Sequence, residues 1–257
     1  MTFSFVACGF AVGLLVGLTG VGGGSLMTPL LTLLFGVPPT VAVGTDLAFA
    51  SITKVSGTFV HRFSGTVNWQ IVKRLSLGAL PAALIATLAL KHFGALNPEI
   101  GRIIRYSIAA SVSLTVIALL FKGRMLNWLN AHPEKHLQGN TLVLFTILTG
   151  ALLGTLVTIS SIGAGAVGAT LLVLLYPRLS AAEIVGTDIA YAVPLTAIAA
   201  LGHWWLGSID WQLLATLLLG SIPGITIGSL AARAVPEKFL RGVLATTLAG
   251  VAFKLAY

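Results

Sequence analysis

Long apolar runs separated by short polar turns set the pattern of this chain. A helix crosses a bilayer with about 20 mostly apolar residues, at 1.5 Å rise each over roughly 30 Å of hydrocarbon. On that measure residues 3–19 predict a helix that ends at a glycine cluster. Residues 26–35 are apolar but too short to cross. Segments 41–59, 75–90 and 103–121 predict three spans. Residues 122–138 are polar and hold Lys122, Arg124, His132, Pro133, Glu134, Lys135 and His136. The order then repeats: 141–158, a small-residue cluster, the short run 167–176, and spans at 184–206, 213–232 and 239–255. The runs are continuous and lack the alternation of a membrane β-barrel strand, so the predicted class is all-α and polytopic.

The second half copies the first. Val43-Gly44-Thr45-Asp46-Leu47-Ala48 recurs 142 positions on as Val185-Gly186-Thr187-Asp188-Ile189-Ala190. In the same register His61 falls on His203, Gly65 on Gly207, Trp69-Gln70 on Trp211-Gln212, Gly78 on Gly220 and Pro81 on Pro223. Upstream the offset is 141, which places Gly22 on Gly163 and Gly24 on Gly165. Leu, Ala and Gly match by chance in membrane helices, but Asp, His, Trp and Gln rarely do so in one register. The chain therefore divides into a first repeat at 1–121, a hydrophilic linker at 122–139 and a second repeat at 140–257. Each repeat is expected to hold a broken or re-entrant helix pair followed by three transmembrane helices. Three or five crossings per repeat are both odd, which inverts the second repeat. Basic residues agree in part: Arg62, Lys73 and Arg74 flank one turn, and the equivalent turn has none. The expected cytoplasmic segments are 62–74, 122–138 and 233–241. A parallel arrangement is the alternative.

Composition narrows the class. Hydrophobic residues make up 56% of the 257 residues and charged residues 9%, too few to coat a water-facing globule. The formal charge of +8 resides in turns between apolar runs, a positive-inside pattern rather than a nucleic-acid footprint. The single cysteine, Cys8, excludes an intrachain disulfide and a cysteine metal site. No cofactor or metal is expected. Nor is a cleaved leader, since the first apolar stretch has no basic segment before it.

Two glycine clusters carry the candidate chemistry. Thr19-Gly20-Val21-Gly22-Gly23-Gly24-Ser25 and Ser160-Ser161-Ile162-Gly163-Ala164-Gly165-Ala166 each precede a short apolar run. Glycine costs about 1 kcal/mol relative to alanine in a helix, so the backbone unwinds at both. Unwound backbone at membrane depth survives only when buried in protein or lining a cavity. Each following helix then starts with free N–H groups and a positive dipole end, and two such starts converging form an anion site. Hydroxyls of Thr19, Ser25, Thr28, Ser160 and Ser161 add donors. The alternative is that small residues only let helices pack closely. Gly20-x-Gly22-x-Gly24 approaches a dinucleotide fingerprint, but the last glycine is missing and no strand–helix–strand unit surrounds it.

Ionisable residues inside the spans are few. Lys54 lies deep in 43–65 and must pair, lose its charge or face water. It either attracts an anion or pairs with Asp46 or Asp188. Its counterpart is Thr196, so the site need not be symmetric. Asp46 and Asp188 are read either as helix-start carboxylates capped by Thr45 and Thr187 or as gate or coupling groups. His61 and His203 are interface residues or gates, and Trp69, Trp204, Trp205 and Trp211 are interface anchors. Pro81 and Pro223 fall inside predicted spans, and Tyr191 and Pro194 follow the second Gly-Thr-Asp motif.

The paired motifs resemble those of the TauE/SafE family, the sulfite exporters and toluene-sulfonate uptake permeases, over nearly the whole chain. The resemblance rests on Gly20–Gly24 followed by Pro29, on Val43-Gly44-Thr45-Asp46, and on the weaker copies at Gly163–Gly165 and Val185-Gly186-Thr187-Asp188. It implies transport of sulfite, sulfonates or related anions; the residues themselves reach only as far as a small anion. The expected protein is a non-enzymatic secondary transporter of the inner membrane with alternating access. Thr19, Gly20, Gly22, Gly23, Gly24, Ser25, Lys54, Ser160, Ser161, Gly163 and Gly165 form its expected substrate site. Its partners are the anion and the bilayer, with a homodimer compatible and nucleic acid excluded. An anion channel is the alternative. An intramembrane enzyme would need a unique nucleophile and base, whereas the polar residues here are mostly duplicated.

Overall fold

The computed structural model describes residues 2–19, 24–63, 65–95, 97–131 and 137–231, with 242, 246 and 250. Among these the secondary structure is helical, with no strand. The helices are α1 (Thr2–Thr19), α2 (Gly24–Leu34), α3 (Pro39–Phe63), α4 (Trp69–Phe93) and α5 (Pro98–Ala131). There follow α6 (Gly139–Ser160), α7 (Ala166–Leu175), α8 (Ala181–Trp205) and α9 (Trp211–Ala231). The order matches a helix pair followed by three helices in the first half. In the second half the segment 239–255 lies outside the described residues except for 242, 246 and 250.

Local chemistry sets the boundaries. α3 and α5 start on Pro39 and Pro98, where the missing N–H would have been unpaired anyway. Asn68 caps α4 by accepting from the Ile71 amide at 3.2 Å, and Asp210 does the same for Leu213 at 2.9 Å at the equivalent point before α9. Ser180 and Glu183 form a reciprocal capping box on α8. α4 ends on Gly94 at φ 79°, which donates to the Lys91 carbonyl. One boundary differs from expectation: α5 runs on to Ala131 instead of stopping at 121. Its extension holds Met125, Leu126, Trp128 and Leu129 among the polar residues and no proline before Pro133, so nothing in it breaks a helix.

The two halves exchange their helices. α1 packs most extensively on α9, and α4 on α6. At each contact a glycine admits the neighbouring backbone, as small residues do in membrane helix pairs. A Cβ on Gly9 would strike the Leu217 carbonyl, and one on Gly150 the Leu75 carbonyl. A Cβ on Gly78 would strike the Ile147 carbonyl, and one on Gly220 the Val6 carbonyl. Every one of these partners is the other's counterpart in the 141/142 register. Along α1 the contacts climb from Gly9 with Leu217 to Gly13 with Ser221, so α1 and α9 run parallel; Gly150 with Leu75 and Gly154 with Ala79 repeat this for α6 and α4.

α3 and α8 are counterparts of each other and pack antiparallel. Gly44, early in α3, meets His203 and Ser208 at the far end of α8, and Gly186, early in α8, meets Thr66 just past α3. The Asp210 amide donates to Thr45 Oγ1 at 3.1 Å, and the Asn68 amide to Thr187 Oγ1 at 3.0 Å. This corrects the expectation that Thr45 and Thr187 cap their own helices. Both lie well inside helices that start at Pro39 and Ala181. Their hydroxyls instead hold the entry to α9 and α4, across the boundary between the halves.

Candidate functional site

The second glycine cluster is an unwound break. α6 stops at Ser160, and Ser161 takes the left-handed conformation at φ 58°. Gly163 and Gly165 both sit at φ 138°, a region that side chains with a Cβ avoid. α7 begins at Ala166, and its N-cap, Gly165, offers no side chain to its first amides. The Gly163 carbonyl takes the Gly168 amide at 2.8 Å and the Gly165 carbonyl takes the Ala169 amide at 2.7 Å. An uncapped helix start of this kind carries partial positive charge. In the first half α1 stops at Thr19 and α2 starts at Gly24, which gives the same order. Gly20, Gly22 and Gly23 lie outside the described residues, as do the side chains of Thr19, Ser25 and His61.

The break lies against the ionisable residues of α3 and α8. Lys54 is buried, and its Nζ donates to the Ala164 carbonyl at 3.2 Å, inside the second cluster. It is in electrostatic reach of Asp188 and Asp46. Asp46 is buried, and its Oδ2 accepts from Thr28 on α2. The Ser161 hydroxyl faces the same carboxylate without completing a well-formed hydrogen bond. Asp188 is buried against α7: a Cβ on Gly168 would collide with its Oδ1. Tyr191, one turn further along α8, is fully buried and in electrostatic reach of Asp188. Each aspartate thus approaches the short helix of its own repeat, and Lys54 joins them at the second break.

Among the described residues, four buried polar atoms here find no hydrogen-bond partner: Asp46 Oδ1, Asp188 Oδ1, Ser161 Oγ and Tyr191 Oη. A buried polar group without a partner is expensive, a charged one more so. A group of such atoms asks for an explanation beyond packing.

The expected site residues separate here. Lys54, Ser161, Gly163 and Gly165 meet at the second break, and Asp46 and Asp188 join them. Ser160 is committed elsewhere: its hydroxyl donates to the Leu156 carbonyl at 2.7 Å, lies 3.1 Å from the Ser111 hydroxyl on α5, and takes the Ile162 amide at 3.2 Å. His203 is wholly buried, with Nδ1 2.8 Å from Ser208 Oγ and Nε2 3.0 Å from the Thr158 carbonyl. It ties the end of α8 to α6 and is shielded from solvent. Lys122 was read only as part of the polar linker. It belongs to α5 and lies in electrostatic reach of Asp188. Its position after an apolar run gives no hint of this, because the helix runs nearly three turns past the expected end at 121. The Ala164 carbonyl was also missed, since backbone oxygens carry no signal in a sequence.

Five described helices, α4, α5, α6, α8 and α9, are long and apolar enough to cross a membrane. The family model described as "Sulfite exporter TauE/SafE" matches residues 5–255. "Probable membrane transporter protein YjnA" of Bacillus subtilis is 41% identical over 234 residues, 89% of each chain. "Probable membrane transporter protein YdhB" of the same organism is 27% identical over 241 residues, 93% of each chain. A "Probable membrane transporter protein" of Xylella fastidiosa is 26% identical over 232 residues, 88% of this chain and 83% of that one. No solved structure matches. With apolar helices, paired motifs and a match from end to end, this multi-pass membrane protein belongs to the sulfite exporter TauE/SafE family.

Proposed function

We propose that the protein is a secondary transporter of a small anion, of the sulfite or organosulfonate class, working by alternating access in the inner membrane. The observation that carries this reading is the meeting of Lys54 with the uncapped start of α7 at a break that the sequence repeats. An ammonium group and free backbone amides are the donors that a tetrahedral or pyramidal oxyanion needs. The family model's description supplies the sulfur class. Among the positions we assign to the substrate, Lys54, Ser161, Gly163 and Gly165 carry most weight, and Thr19, Gly20, Gly22, Gly23, Gly24 and Ser25 would serve from the other cluster. Ser160 acts by holding the break to α5.

The two states would be related by inversion of the repeats. The antiparallel packing of the counterparts α3 and α8 supports this, because equivalent spans of parallel repeats would run the same way. Both halves would then rock about α3 and α8, with the reciprocal Thr45–Asp210 and Thr187–Asn68 contacts at the pivot.

Purified protein in detergent should be stabilised against heat by sulfite, sulfonates or sulfoacetate and not by neutral analogues. Equal stabilisation by every solute, or by none, contradicts the anion reading. Inversion is tested separately. Gln70 and Gln212 are exposed equivalents near the starts of α4 and α9. Single cysteines there, in a Cys8→Ala background, should react with an impermeant maleimide from opposite sides of the membrane; labelling from one side would make the repeats parallel.

A further inference from the structure

We propose that Asp46 and Asp188 form a proton-binding site that loads together with the anion, so that protons and anion cross in the same direction. This deepens the transporter reading and rests on it for its substrate. The argument begins with charge. Two ionised carboxylates and one ammonium leave the buried centre with one negative charge. An entering anion would raise that to two, out of contact with water, where unpaired charge is very costly. Lys122, half-buried on α5, is in electrostatic reach of Asp188 and counts as a second positive charge near the centre. With it the centre is neutral when empty and negative when loaded. On either count each anion creates a charge deficit that one proton on a carboxylate removes.

The landing points are present. Asp46 Oδ1 and Asp188 Oδ1 are buried and have no hydrogen-bond partner among the described residues. A hydroxyl without a partner accompanies each carboxylate, Ser161 beside Asp46 and Tyr191 beside Asp188. A hydroxyl donates to a carboxylate and accepts from a carboxyl proton, so it serves both the empty and the loaded state. The groups facing Asp46 are Thr28 from α2, Lys54 from its own helix and Ser161 from the break. Those facing Asp188 are Lys54 from α3, Lys122 from α5 and Tyr191 from its own helix. Lys54 sits in reach of both carboxylates, and this ammonium opposes a sodium ion in the same place.

Two measurements test the site. In proteoliposomes, an inward proton gradient should drive accumulation of radiolabelled methanesulfonate, which carries no titratable proton of its own. Asp46→Asn and Asp188→Asn should lose this accumulation, and whatever anion exchange they retain should no longer vary with pH. Accumulation driven by a sodium gradient without proton uptake overturns the proposal, as does undiminished proton-driven accumulation in both variants. The second measurement needs no substrate and no variant that folds poorly. Infrared difference spectra of the wild type in lipid should show a buried carboxyl C=O band that appears as pH falls, partly lost in Asp188→Asn. If the wild type moves no anion, the transport reading fails by itself, and the band still decides: its absence across the accessible pH range overturns the proton site.

Discussion

Gly78→Val and Gly220→Val are each expected to stop the protein from reaching a stable fold in the bilayer. A Cβ at Gly78 would lie on the Ile147 carbonyl and within 2.8 Å of the Ala151 amide nitrogen; at Gly220 it would meet the Val6 carbonyl and the Phe10 amide nitrogen. These obstacles are backbone, so no rotamer change relieves them, and the two helices must separate along their length. Overpacking a core costs about 1–3 kcal/mol when side chains give way. Forcing helix backbones apart exceeds that, because it also removes the dispersion contacts that hold membrane helices together. Both variants should give little monodisperse protein and a strongly lowered unfolding temperature. Gly101→Ala is the control: nothing lies within 4 Å of a Cβ there, and alanine favours the helix by about 0.5–1 kcal/mol. A valine at Gly78 or Gly220 tolerated as well as an alanine at Gly101 would show that α4–α6 and α1–α9 do not pack as described.

Lys54→Ala should remove anion transport. At an effective dielectric of about 20, a unit charge roughly 4 Å from an anion is worth on the order of 4 kcal/mol, or about a thousandfold in affinity at 1.4 kcal/mol per decade. Asp46 and Asp188 remain behind, so the variant opposes an entering anion more strongly than the lost attraction alone implies. It also leaves buried carboxylates with less compensation, which lowers stability by about 3–5 kcal/mol if they stay ionised. The double variant Lys54→Ala/Asp188→Asn separates these effects. It should regain stability without regaining transport. Lys54→Arg keeps the charge and should keep part of the activity, limited by the larger guanidinium at the Ala164 carbonyl.

The fold was legible because its signals are physical constraints on the whole chain. Apolar length gave spans at α4, α5, α8 and α9, while α3, expected to span at 41–59, is not among the described helices that meet that measure; the 142-residue repeat gave the order of elements around Asp46 and Asp188. The break at Ser161–Gly165 followed from the weak helix propensity of glycine and is observed in the backbone angles. Lys54 stood out because a lysine deep in a span needs a reason. Other features depended on side-chain direction, which repeats and periodicity do not carry. Nothing in the sequence separates Ser160, bound to α5 and its own helix, from Ser161, which faces Asp46. The Gly-Thr-Asp motif resembled a helix start because threonine and aspartate favour caps, yet both copies lie inside helices. There the threonine accepts a hydrogen bond across the repeat boundary and the aspartate turns toward a short helix. Lys122 looked like linker because a charge after an apolar run usually ends a span.

The measurement that bears most directly on this account is the initial rate of uptake of labelled sulfite and methanesulfonate into proteoliposomes. Wild type, Lys54→Arg and Lys54→Ala would be compared at matched incorporation and confirmed fold. Saturable uptake by the wild type, reduced uptake by the arginine variant and uptake at the level of empty vesicles for the alanine variant are the predicted results. Equal rates for wild type and Lys54→Ala would place the anion's route elsewhere in the molecule.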